Sequence, residues 1–95
     1  MISTKTQHFY KGIHYLDLIA HNTQNGGKVL DIKFKKDGNN QIISIKTDYA
    51  DGLTTTTETL VYHNDILQEW LLNINNHEKH EIFSRNQYNS YLKSL

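Results

Sequence analysis

Apolar and polar residues alternate most cleanly between Lys28 and Tyr49. In residues 28–36, Leu30, Ile32 and Phe34 fall on one side and Asp31, Lys33 and Lys35 on the other, the two-residue period of a half-buried strand. Asp37-Gly38-Asn39-Asn40 supplies residues that tolerate a turn, and residues 41–49 return as a second strand. With those four residues as the loop, Phe34 opposes Ile43, Ile32 opposes Ile45 and Asp31 opposes Lys46. Upstream, residues 8–21 fit two periods. Phe9, Ile13, Leu16 and Ile19 or Ala20 share a helical face, whereas Leu16, Leu18 and Ala20 share a strand face. The aromatic and Ile content favours a strand over roughly residues 13–21. After the turn at Ala50-Asp51-Gly52, the Thr-rich residues 53–62 are β-prone and read as a solvated strand at a sheet edge.

The period then changes. Ile66, Leu67, Trp70, Leu71 and Ile74 have helical spacing, with Asn64 or Asp65 placed as an N-cap. Asn73, Asn75 and Asn76 end that helix. Ser84 with Gln87 forms a capping-box pattern before a last apolar stripe of Tyr88, Tyr91, Leu92 and Leu95. The expectation is an α+β domain over residues 1–95, with residues 1–7 loose. It has an antiparallel meander of about four strands, followed by two C-terminal helices packed on one face. Ile32, Phe34, Ile43, Ile45, Leu67, Trp70 and Leu71 form its expected core.

Composition narrows the function classes. Ninety-five residues leave room for one small domain. The chain has no cysteine, which excludes a disulfide framework and Cys-ligated zinc and points to a cytoplasmic home. The first ten residues lack the apolar stretch of a signal peptide, and no apolar run suits a membrane helix. Asn, Ile, Lys and Tyr are abundant, as in proteins from AT-rich bacterial or phage genomes. The formal net charge is zero, unlike the basic balance of a dedicated duplex-DNA binder. It is unevenly spread. Residues 1–46 carry seven Lys against three Asp, a net +4. Residues 47–95 carry Lys79, Arg85 and Lys93 against seven carboxylates, a net −4.

Catalytic chemistry finds little purchase. The chain has no Cys nucleophile and no G-x-S-x-G, and Ser44, Ser84, Ser90 and Ser94 are not set between glycines. Gly26-Gly27-Lys28 lacks the remaining residues of a P-loop. His77 and His80 are three apart but have no obvious further ligands, so neither a metal nor another cofactor is expected. What remains is binding. The stretch from Asp48 to Glu78 has no Lys or Arg and carries Asp48, Asp51, Glu58, Asp65 and Glu69, an expected contact surface for a basic protein partner. The leading expectation is therefore a protein-binding module, an inhibitor or immunity-type protein that masks its partner. The alternative is a single-stranded nucleic-acid binder using Lys33, Lys35, Lys36 and Lys46 for phosphates and Tyr49 for stacking.

Overall fold

The computed structural model describes residues 11–49, 53–87 and 89. A helix, α1 (Tyr15–Gln24), precedes five strands: β1 (Gly27–Asp37), β2 (Asn40–Tyr49), β3 (Thr55–His63), β4 (Ile66–Ile74) and β5 (Glu78–Ser84). All neighbouring strands are antiparallel and lie in chain order, so the sheet is a five-stranded meander. The architecture is mostly β, with its one long described helix before the sheet.

The β1–β2 hairpin has the register expected from its alternation. Asp31 opposes Lys46, Ile32 opposes Ile45 and Phe34 opposes Ile43. Asp37 and Asn40 close the ladder, leaving Gly38 and Asn39 as the loop, and Gly38 takes φ +62°. One irregularity changes the faces: Leu30 is an extra residue between the Val29–Thr47 and Asp31–Lys46 pairs. This bulge turns Val29 rather than Leu30 toward the core, and Leu30 is 50% exposed.

Residues 13–21 are not a strand. Helix α1 begins at Tyr15, with the His14 ring nitrogen Nδ1 accepting from the Leu16 amide at 3.2 Å. Its inward stripe is Tyr15, Leu18, Ile19 and Asn22, spaced at one helical face, while Leu16 points outward at 57% exposure. A polar residue at the fourth inward position hides this helix from an apolar count. The chain then approaches itself closely. A Cβ on Gly27 would lie 2.7 Å from the Asn22 carbonyl oxygen and 2.6 Å from Thr47 Cγ2, so only glycine lets β1 start beneath the helix end.

The expected helix over Ile66–Ile74 is strand β4, and the Thr-rich strand β3 lies at the centre of the sheet rather than at an edge. Asn64 and Asp65, φ 51° and 65°, form the two-residue β3–β4 turn instead of a helix cap. Asn75 and Asn76, φ 53° and 60°, occupy the next turn. Gln68 is an extra residue between the Val61–Glu69 and Tyr62–Leu67 pairs. The bulge puts Leu67 and Trp70 on one face at a spacing of three, which imitates a helix. The polar stretch before Ser84 is strand β5, bulged at Ile82. Residues 85–87 are helical. The rest of the expected last helix (Tyr88, Tyr91, Leu92 and Leu95) and the N-terminal residues 1–7 fall outside the described residues.

Helix α1 packs on β1 and β2 from one side of the sheet. Leu18, Ile43, Ile45, Leu60, Tyr62 and Leu67 are buried there, with Ile32, Trp70 and Phe83 packed against them. Two expected core residues are elsewhere. Phe34 is 56% exposed, its ring edge-on to Tyr15, and Leu71 lies on the opposite face. No helix among the described residues is long and apolar enough to cross a membrane.

Candidate protein-docking face

The sheet face away from α1 is built in cross-strand rows. Lys33, Ser44, Thr59, Leu71 and Glu81 stand opposite one another across all five strands. Beside them run the rows Asp31-Lys46-Thr57-Asn73-Lys79 and Lys35-Ile42-Val61-Glu69-Ser84. Among the described residues no element covers this face. Its centre is half-buried and made of methyl and hydroxyl groups (Ile42, Ser44, Thr57, Thr59, Val61, Leu71), whereas its edges carry exposed charges. Lys33 Nζ lies 3.9 Å from Asp31 Oδ2, with both side chains more than half exposed. A shallow depression of about 140 Å³ lies between Asp31, Lys33, Ser44, Lys46, Thr57 and Asn76.

The expected acidic surface does not assemble as one patch. Asp48 and Glu69 point to the open face from β2 and β4, and Asp65 is exposed in the β3–β4 turn. Asp51 falls outside the described residues. Glu58 is 5% exposed on the helix side, where Asn22 Nδ2 donates to Oε1 at 2.7 Å and Trp70 Nε1 donates to Oε2 at 2.9 Å. It joins α1, β3 and β4 beneath the surface and has no contact area to offer a partner.

Of the basic set, Lys33, Lys35 and Lys46 share the open face, and Lys28 joins them. Lys36 and Tyr49 lie on the helix side of the sheet. Burial, and then the Glu58 carboxyl, push the Tyr49 phenol above its ordinary value, partly offset by a hydrogen bond with Thr56. The other aromatic residues of the described strands and α1 (Tyr15, Phe34, Tyr62, Trp70 and Phe83) also belong to the helix side. Lysines are present on the open face, but a stacking platform is not.

A second concavity, of about 440 Å³, opens at the start of α1, where Ile13, His14, Tyr15 and Tyr62 contribute to its wall. The Tyr62 hydroxyl donates to the Ile13 carbonyl. Burial first, then Asp17 and Tyr15, raise the Tyr62 phenol strongly, so it stays protonated and serves as a donor. Gly12 holds φ +82° beside it, and a Cβ there would lie 2.7 Å from Leu67 Cβ. These contacts fasten the segment before the helix to the sheet. Among the described residues no three His, Asp or Glu side chains gather as a metal site. His80 instead lies 3.2 Å from Glu78 on β5.

The open face was only half visible in the sequence. Alternation identifies Lys33 and Lys35 as neighbours of one side, but the bulges at Gln68 and Ile82 decide that Leu71 and Glu81 join them. No protein-family model, curated protein or solved structure matches the chain.

Proposed function

We propose that the protein is a binding module that docks another protein on the open sheet face and masks it, in the manner of an inhibitor or immunity-type protein. One observation carries this reading: a sheet face that no described element covers has a partly buried aliphatic and hydroxyl centre rimmed by charges of both signs. Protein interfaces have this anatomy, with a less polar middle and a polar rim. The acidic contribution comes from Asp31, Asp48, Glu69 and Glu81 rather than from the whole set Asp48, Asp51, Glu58, Asp65 and Glu69. Single-stranded nucleic acid, the other reading, is held by lysines together with rings on which bases stack. Lys33, Lys35 and Lys46 supply the first requirement, whereas the described rings lie on the other side.

The test compares the parent with Val61→Glu, which places a carboxylate at the middle of the face. Both proteins serve as bait for host extract, and any captured protein is then titrated against each in purified form. A captured protein that binds the parent and loses at least tenfold in affinity for Val61→Glu supports the reading. Salt-sensitive binding of mixed-sequence single strands at about 50 mM salt, weakened when Lys33, Lys35 and Lys46 are replaced, supports the nucleic-acid reading instead.

A further inference from the structure

At the ends of two rows of the open face, the charges are antisymmetric about its middle strand. In one row the β1 end is Lys33 and the β5 end is Glu81. In the next row the order is reversed, with Asp31 at the β1 end and Lys79 at the β5 end. Between them β3 presents Thr57, Thr59 and Val61, small or β-branched residues without charge. A half-turn about an axis parallel to β3 exchanges the two ends of every row and preserves the order of rows. Such a rotation lays one copy of this face on another with β1 over β5 and β3 over β3.

We infer that the open face pairs with a second copy of this chain, giving a two-sheet sandwich around that axis. Lys33 meets Glu81 of the second copy, and Asp31 meets Lys79 of the second copy, each pair formed twice by symmetry. Leu71 of the second copy lies over Ser44, at the margin of the shallow depression. Thr59 and Val61 pack against their own equivalents on the axis. A half-turn about the perpendicular in-plane direction, centred between the two rows, would set β1 over β1 and also pair Lys33 with Asp31 and Lys79 with Glu81, but it brings Lys35 onto Lys28, a repulsion that the first arrangement lacks. The geometry is that of aligned sheet packing, with faces about 10 Å apart.

Five strands about 4.8 Å apart, each contributing a length of about seven residues at about 3.3 Å per residue, present a face of about 550 Å². Two such faces bury on the order of 1,100 Å², just below the range of stable specific interfaces and within that of weak ones, which fits a reversible dimer. The inference rests on the open face being a protein-docking surface, and it names the occupant present when no other partner competes. The rim pairs make the association weaken as salt rises.

Sedimentation equilibrium of the full chain, from about 5 µM to about 500 µM, tests it. The expected mass moves from 11.1 kDa toward twice that value as concentration increases. Lys33→Glu and Glu81→Lys each replace two attractions by two repulsions and are expected to raise the dissociation constant about tenfold or more. An equimolar mixture of the two variants is expected to associate again, because each Glu introduced at residue 33 then meets a Lys introduced at residue 81. Both substitutions are at exposed positions, and circular dichroism verifies their folding. A parent that stays monomeric throughout overturns self-pairing. So does a dimer that ignores both variants, or one that the mixture does not restore. If the parent is monomeric but a captured host protein is lost on Val61→Glu, the docking-face reading survives without the second copy. If the parent dimerises as described and no other protein binds, the second copy is itself the partner that the face serves.

Discussion

Glu58 is the carboxyl group at the inner side of the sheet on which α1, β3 and β4 converge, through Asn22 and Trp70. Removing it strands two donors in a largely buried place. Glu58→Ala is expected to cost about 3 kcal/mol or more, read from urea midpoints. Glu58→Gln is expected to cost far less, because its amide oxygen still accepts from Trp70 and the Asn22 amide can rotate to accept in turn. Tyr62 allows a test through pH. The folded chain holds the Tyr62 proton above pH 10.0, where an unfolded chain releases it. The contribution is therefore complete below that pH and declines as pH rises beyond it. The urea midpoint of the parent is expected to fall more steeply above pH 10.0 than that of Tyr62→Phe, which also loses about 1 kcal/mol at neutral pH with its bond to Ile13.

Strand β4 shows most directly how an element acquires two unlike faces. Leu67 is 1% exposed in the core, whereas Leu71, four residues on, is only partly buried, on the open face. Leu67→Ala is expected to cost about 2–5 kcal/mol in urea denaturation and Leu71→Ala less than about 1 kcal/mol. Equal losses would mean that β4 buries both residues, as the helix expected from its spacing would. Turn chemistry is testable in the same element. Asp65 has φ 65°, a conformation that a β-branched residue resists, so Asp65→Val is expected to lower stability by about 1–2 kcal/mol. The register of the β1–β2 hairpin was readable from Asp31 to Lys46, because alternation and a turn of Asp, Gly and Asn leave one register that keeps Ile32 and Ile45 inward, whereas the bulge at Leu30 was not. β4 was not, because the bulge at Gln68 creates a three-residue step and paired Asn or Asp residues serve both as helix caps and as left-handed turns. Helix α1 was missed for a different reason: the inward partner of Glu58 is Asn22, a residue that no apolar pattern counts. The docking face inherits these limits. Its β1 half was visible and its β4–β5 half depended on two bulges.

At the scale of the molecule, the helix protects only one end of one sheet face, and protection should follow. Amides of β2, β3 and β4, flanked on both sides by strands, are expected to exchange most slowly, and those of β5, exposed along most of its length, fastest. A reversed order in hydrogen-exchange measurements would place the stable nucleus elsewhere. The connectivity of the meander also bears on how the chain reaches this structure. Each strand bonds only to its predecessor and successor, across links of two to five residues. No segment has to search for a remote partner, so little chain entropy is lost before the first contacts form. Assembly can therefore advance as a zipper, each completed hairpin offering its free edge as the template for the next strand. The refolding rate should respond more to substitutions in the turns that start the zipper than to those in the outermost strand.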